Sequence, residues 1–405
     1  MWNASFRHHR LQLQGESAVR FSYAVIAILC SVAGGWAVSP SAQGASAPAA
    51  TVGWPTPQLE SSLWLAQSSN GLSSAQQEQV DELLRQGERR VAARDYAGAI
   101  AIYRQAAEID RQNPRLFSGI GYLYVQLGNY SEAIVAYRRA IALDGNNLAF
   151  RYGLAHSQYN SGDLDGALTT YQAILATNPR EVNAHLGVGS IQIERSDYDG
   201  ALNTYQNLAR MAPGNAQVYA ALGALYLRQE NYNQALIYLN QGLRANPNNG
   251  ELYASVANLH LMQNDYARAA ENLRQAVRFA PQNAAAQHQM GYVLYQQGNR
   301  EAAFSYLLRA VRLNPDLIAA HALLGRLLLE REQYLQAVLS YRKVADALPD
   351  DPAAFYNLGL ALWGQGLQAQ ALANIELASR LYSQQGDTAG ANRARELMVL
   401  WGFER

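Results

Sequence analysis

The chain has 405 residues, 49% of them hydrophobic, and 32 basic against 32 acidic side chains, so its formal charge is zero. That balance removes the general attraction of a basic protein for nucleic acid. A single cysteine, Cys30, leaves no internal disulfide and no thiolate metal site.

The first 47 residues read as a signal peptide or an N-terminal membrane anchor. Arg7, Arg10 and Arg20 precede an apolar run from Phe21 to Val38, and no charged residue lies between Arg20 and Glu60. Small residues follow at positions 41–47, completing the order of a secretory signal. Ser31, Gly34 and Gly35 leave the run short of the about 20 apolar residues that span a bilayer. Either reading carries the remainder across the membrane, because the positive charges lie on the N-terminal side. The expected location is therefore extracytoplasmic, in a periplasm or lumen. A lipoprotein signal is disfavoured, since Leu29 stands before Cys30 where a small side chain is needed. Residues 48–79 form a Pro-, Ser- and Gln-rich linker and the start of a first helix, with Ser74-Ala75-Gln76-Gln77 as its capping box.

From residue 80 to 385 one unit repeats nine times. Alanine returns every thirty-four residues, at 99, 133, 167, 201, 235, 269, 303, 337 and 371. Twelve residues before each stands a small residue, such as Gly87, Gly121, Ala155 or Gly189. Three before stands a tyrosine in most units, with Leu164 substituting in the third. Four after comes a bulky apolar group, from Tyr103 and Tyr137 to Leu307 and Ile375, and prolines close the later units at Pro179 through Pro349. Phe117, Ile120, Gly121 and Tyr124 keep the i, i+3, i+4, i+7 spacing of one helical face, so each unit predicts two helices. Asp95, Asn129, Asp163, Asp197, Asn231, Asp265 and Asn299 stand between them as expected caps for the second. Arg111 and Gly145 replace proline in the first two units, where Pro114 is expected to help end the first. Residues 386–405 predict a capping helix with Ala394, Leu397, Met398 and Trp401 on one stripe.

The period and its glycine, tyrosine, alanine and proline landmarks resemble the tetratricopeptide repeat family over residues 80–385. The resemblance implies an all-α fold: a right-handed α-solenoid of about nine helix-turn-helix repeats with a C-terminal capping helix. It also implies a concave groove lined by the first helix of each unit, the family's usual surface for a protein or peptide partner.

Groove-facing positions lie fifteen, eleven, eight and seven residues before each alanine. The third unit places Tyr152, His156, Tyr159 and Asn160 there, and the seventh His288, Tyr292, Tyr295 and Gln296. Tyrosine offers contact area at small rotamer cost together with a polar tip. The same row elsewhere holds Tyr122, Gln126, Glu194, Arg228, Asn258, Arg326 and Tyr356. Glu194 and Arg228 are expected to pair across adjacent units, and Glu330 with Arg326 along one helix. The clamp of lysines and asparagines that holds chaperone tails in this family is not matched, since Lys343 is the only lysine.

No catalytic or metal-binding constellation is legible, and no cofactor is expected. His185, His260 and His321 occupy packing positions, and Gly187-Val188-Gly189 lies inside a predicted helix with no strand before it. The expected function is a non-catalytic scaffold in assembly of an envelope or membrane complex. Alternatives are a structural component with several partners, or an accessory subunit of polysaccharide, lipid, secretion or pilus machinery whose catalyst is another chain. No nucleic-acid partner is expected, membrane contact would come through an uncleaved N-terminus, and the sequence sets no oligomeric state.

Overall fold

The capping side chains and packing glycines described below place a helix wherever the thirty-four-residue period calls for one. A computed structural model describes residues 71–403, and the regular elements among them are nineteen α-helices. The proposed signal or anchor and most of the linker lie outside the described residues. The described residues fall into two units, 71–229 and 230–403. The first holds α1 (Ser74–Ala92), α2 (Tyr96–Ile109), α3 (Pro114–Gln126), α4 (Tyr130–Leu143), α5 (Leu148–Asn160), α6 (Leu164–Thr177), α7 (Val182–Glu194), α8 (Tyr198–Met211) and α9 (Ala216–Arg228). The second begins with α10 (Tyr232–Ala245), α11 (Gly250–Met262), α12 (Tyr266–Phe279), α13 (Ala284–Gln296) and α14 (Arg300–Leu313). It continues through α15 (Ile318–Glu330), α16 (Tyr334–Ala347), α17 (Pro352–Gly364), α18 (Gln368–Gln384) and α19 (Thr388–Leu400). None of the described helices is long and apolar enough to cross a membrane.

Two sets of caps start the helices. Asp95, Asp163, Asp197, Asn231, Asp265 and Asn299 each accept a backbone N–H at the head of the following even-numbered helix. Asn129 makes no such bond, against expectation. A second set, twenty residues before the marker alanines, caps odd-numbered helices through Asn113, Asn147, Asn215, Asn249, Asn283 and Asp351. Pro114 is the first residue of α3, where its missing N–H costs nothing; it opens that helix and does not close α2. The capping box of α1 uses Ser73 and Gln76, one residue earlier than expected. Two overlapping Ser-x-x-Gln matches exist, and the earlier one sets Leu72 against the cluster of Val80 and Leu84.

Between paired helices the chain must turn through the left-handed region, always five residues before the marker alanine. Glycine serves at 128, 162, 298 and 366, whereas Arg94, Ser196, Glu230, Asn264 and Glu332 adopt φ of 57–62° without it.

All nine marker alanines are fully buried. The closest approach, however, belongs to the glycine twelve before and the ring four after. A Cβ on Gly121 would lie 3.0 Å from the Tyr137 ring, and one on Gly325 2.9 Å from that of Tyr341. Tyr137 is also met from the next unit by Gly153, and Tyr171 by Gly187, where a Cβ would stand 2.6 Å away. The Tyr137 ring is thus wedged between glycines of α3 and α5, and Tyr171 lies against Gly187 of α7. Within each unit, helices adjacent in sequence pack together, and α3 meets α5, α13 meets α15, and α15 meets α17. At the C-terminus, Ala394 and Leu397 of α19 are buried with Ile375 and Ala378, and Met398 and Trp401 pack against them. The Trp401 ring lies parallel to that of Trp363, with centroids 4.1 Å apart.

Candidate ligand-facing row of the odd-numbered helices

The expected row is occupied unevenly. Tyr122 and Gln126 on α3, and Tyr152, His156 and Tyr159 on α5, are half-buried; Asn160 and Glu194 are exposed. Arg228, Asn258, Tyr292, Tyr295 and Arg326 are half-buried, and Gln296 is exposed. Two expected members turn inward instead. Tyr356 is buried because α19 closes over the last unit, packing Ala394 and Leu397 against it. His288 is 5% exposed, and burial alone holds its pKa down to about 4, so it is neutral near pH 7. Neither can meet a ligand on the surface as it stands.

In the N-terminal unit, Tyr159 connects three odd-numbered helices electrostatically. Burial raises its pKa first, the hydrogen-bonded Glu194 carboxylate adds to the rise, and Arg228 opposes it. Glu194 and Arg228 form no ion pair with each other, contrary to expectation. Arg228 lies over the Tyr198 ring, 5.7 Å from its centroid, and its Nη1 is buried without a hydrogen-bond partner. Each charge has found another neighbour: a tyrosine hydroxyl for the carboxylate, a ring face for the guanidinium. Tyr152 sits with its ring 6.3 Å from that of Tyr171; burial raises its pKa, and the Glu181 carboxylate adds to this. Burial lowers the pKa of His156 to about 4. Asn160 donates through Nδ2 to the His156 carbonyl at 2.8 Å, so one amide donor is spent on its own helix.

In the C-terminal unit the same tyrosine–glutamate pair recurs four units later. Tyr295 donates to Glu330 Oε1 at 3.1 Å, and Arg300 Nε donates to Glu330 Oε2 at 3.0 Å. The guanidinium carbons of Arg300 and Arg326 stand 5.1 and 5.7 Å from the Tyr295 ring centroid. Glu330 therefore has partners on α13 and α14, beyond the Arg326 neighbour expected from spacing. Tyr292 meets Tyr266 edge to face at 6.3 Å, and its pKa is pushed up to about 12 by burial and then by Tyr266.

Several contacts between successive units lie beyond what single positions reveal. Arg195 pairs with Asp165, and Arg331 with Glu301 at 2.7 Å, both joining a residue six before one alanine to one two before the previous. The side chain sixteen before the alanine reaches back to a carbonyl twelve after the preceding one. His185, His321 and Gln287 do so at 2.9 Å to Pro179, Pro315 and Pro281, Tyr219 at 3.1 Å to Pro213, and Arg151 at 2.8 Å to Gly145. The packing role expected of His185 and His321 thus includes a specific bond. Comparing adjacent units position by position would have exposed both patterns.

The row presents tyrosine faces, carboxylate acceptors and guanidinium donors, a set suited to holding polypeptide. Among the described residues no group of three or more His, Cys, Asp or Glu side chains could hold a metal ion.

A family model described as the cilia and flagella-associated protein 70 C-terminal domain, a tetratricopeptide model, matches residues 146–357, just over half of the chain. Two further tetratricopeptide repeat models match residues 121–162 and 90–135. The chain belongs to the tetratricopeptide repeat family. A TPR repeat-containing protein of Picosynechococcus sp. (strain PCC 7002) is 41% identical over 71 residues, covering 18% of each chain. Similar solved structures include a tetratricopeptide repeat protein from Parabacteroides merdae, 20% identical, covering 58% of this chain and 94% of that one, with a TM-score of 0.45. The hetero-tetramer Cut9–Hcn1 is 13% identical, covering 77% and 62%, with a TM-score of 0.49. YrrB, titled a TPR protein with an unusual peptide-binding site, is 22% identical, covering 47% and 97%, with a TM-score of 0.41. A repeat fold of this type is a protein-interaction scaffold.

Proposed function

We propose that the chain is a non-catalytic scaffold that holds a protein or peptide along the odd-helix row and serves the assembly of an envelope or membrane complex. The observation that carries the reading is the pair formed twice, Tyr159 with Glu194 and Tyr295 with Glu330. Each pair has arginine beside it and half-buried tyrosines on the same face. Each unit thus carries the same polar cluster, and each can grip a stretch of extended chain by itself. Export or tethering by residues 1–47 puts this work on the outer side of the cytoplasmic membrane.

The test is capture of partners from detergent-solubilised membranes by the full chain, read by mass spectrometry. Tyr159→Phe with Glu194→Gln, and Tyr295→Phe with Glu330→Gln, remove the polar tips and keep the packed rings. Helicity should be unchanged and capture of the dominant partner much reduced. Undiminished capture by both double variants together refutes the row as the binding surface. The mass of the mature N-terminus decides location: loss of the first 40-odd residues marks a cleaved signal, and an intact membrane-bound chain marks an anchor. An intact N-terminus in the cytosolic fraction refutes export.

A further inference from the structure

The solvent faces of the even-numbered helices in the C-terminal unit carry a positive charge that the repeat does not require. Arg274 and Arg278 on α12, and Arg309 and Arg312 on α14, are exposed, with Arg244 at the equivalent place on α10. None of these arginines forms an ion pair with another described residue. Arg278 alone has a ring beside it, that of its neighbour Phe279, 5.4 Å from the centroid. On α16 follow Arg342, which reaches Gln370 of α18 at 3.5 Å, and Lys343, which pairs with Asp316 at 3.2 Å. Asp346 is the one acid on the C-terminal halves of these four helices. Glu271 and Glu301 stand in the N-terminal halves, and Glu301 is taken by Arg331 at 2.7 Å.

Helix physics explains part of this. The macrodipole favours a cation in the last turn, which accounts for Arg244, Arg278 and Arg312. It does not account for Arg274 and Arg309, three or four residues earlier, because like charges at that spacing repel along a helix. On α6 the equivalent places hold Gln172, Ala173 and Ala176, so hairpin packing is satisfied there without any cation. The same faces also expose large aliphatic side chains. Leu335 and Leu339 on α16 are 56 and 58% exposed, and Ile237 occupies on α10 the place that Leu339 holds on α16. Leu335, Leu339 and Arg342 keep the i, i+4, i+7 spacing of one helical side, so the apolar and cationic groups lie together.

We propose that the solvent sides of α10, α12, α14 and α16 dock on an anionic phospholipid surface. Guanidinium forks match phosphate oxygens bidentately, and each cation close to an anionic bilayer adds to the attraction. Leu335 and Leu339 enter the headgroup boundary, as the apolar side of an interfacial helix does. An acidic polypeptide would answer the arginines and leave the leucines in water, whereas a lipid interface takes both. The odd-helix row belongs to the other helix of every hairpin, so the docking face stands independently of what that row binds.

An environment-sensitive fluorophore on the full chain tests it. With Cys30→Ser removing the native thiol, the label goes on Gln336→Cys, beside the two leucines, or on Thr169→Cys of α6 as the control. A reporter at one residue keeps the reading separate from any insertion of the N-terminal segment. Vesicles of equimolar phosphatidylcholine and phosphatidylglycerol should blue-shift the label at position 336 and leave that at 169 unchanged. Vesicles of phosphatidylcholine alone should shift neither. Arg274→Gln, Arg278→Gln, Arg309→Gln and Arg312→Gln together should raise the lipid concentration at half-shift on the order of a hundredfold or more. Leu335→Ser with Leu339→Ser should raise it by about tenfold, and helicity should be unchanged in both variants. No shift at position 336, equal shifts at both positions or on both vesicles, or undiminished binding by the arginine variant overturns the proposal. Undiminished binding by the leucine variant assigns the face to an acidic polypeptide and overturns it too.

Discussion

Replacing Gly325 by alanine separates two opposed effects within one side chain. A Cβ at this position would stand 2.9–3.1 Å from three atoms of the Tyr341 ring, inside the 3.5–4.0 Å at which carbon atoms rest. Tyr341 is 2% exposed, so the ring has little room to withdraw. Overpacking of this kind costs about 1–3 kcal/mol. Alanine in a helix interior, however, gains about 0.5–1 kcal/mol over glycine from backbone entropy. The parent should therefore lose stability on Gly325→Ala, by up to about 2 kcal/mol. With Tyr341→Leu in place, a leucine seated as Leu273 is beside Ala257, and not as Leu307 is 2.7 Å from a Cβ built on Gly291, relieves the clash, and the same alanine should then stabilise by about 0.5–1 kcal/mol. The sixth unit already contains the compensated pair, Ala257 with Leu273, both fully buried. Thermal and urea unfolding followed by circular dichroism measure the cycle, and the alanine shift must change sign between backgrounds. A shift of the same sign and size in both would show that the glycine is not there for the ring, and the packing account would fail.

Other outcomes follow from local geometry. Glu332 holds φ of 59° at the turn position where Gly298 and Gly366 stand; Glu332→Gly should stabilise by about 0.5–1 kcal/mol, and Gly298→Ala should destabilise by about 1 kcal/mol, measured by melting. Asp265 accepts the Arg268 N–H at 3.0 Å, so Asp265→Ala should cost about 1 kcal/mol. Asn129→Ala should fall within a few tenths, because Asn129 caps nothing. His288 is neutral when folded because burial lowers its pKa from 6.5 to about 4. The unfolded chain takes up the proton first as pH falls, so stability is full above about 6.5, declines between about 6.5 and 4, and levels off below. This group alone contributes a loss on the order of 3 kcal/mol across that window. Melting of the parent and of His288→Leu from pH 7 to 4 checks it; parallel curves refute the assignment.

How much of this was legible depends on whether a residue answers to its own unit or to the next. The marker alanines, the inter-helix turns and the caps at Asp163 or Asp265 are local, and spacing alone placed them. The odd-helix caps at Asn113 through Asp351 were equally periodic and needed only one more offset. Burial of Tyr356 was not legible, because the covering side chains belong to α19, outside the repeat. Nor was the burial of His288, since a residue fifteen before its alanine is half-buried as Tyr152 in the third unit and buried in the seventh. Non-glycine residues in the left-handed turn were invisible for a different reason: the tight connection fixes φ there, and Arg94 or Glu332 complies at a cost.

The proposed ligand-facing row is itself shaped by the unit behind it, and that identifies its most available member. The side chain seven before one alanine packs on the side chain three before the previous one. Arg228 lies over Tyr198, Glu330 receives a hydrogen bond from Arg300, and Gly364 stands so close to the Tyr334 ring that a Cβ would overlap it. At these three places a ring meets a cation or a glycine and a cation meets a carboxylate, whereas Gln126, Asn160, Met262 and Gln296 follow tyrosines in the other units. Behind Glu194 stands Leu164, which offers neither ring face nor charge. Glu194 is accordingly exposed, and the Tyr159 hydroxyl is its hydrogen-bond partner. Of the two equivalent pairs, Tyr159–Glu194 therefore keeps the larger unspent acceptor capacity, while Glu330 is already shared between Tyr295 and Arg300. A partner that offers donors to this face gains more at α5 and α7 than at α13 and α15, so Glu194→Gln should weaken capture more than Glu330→Gln.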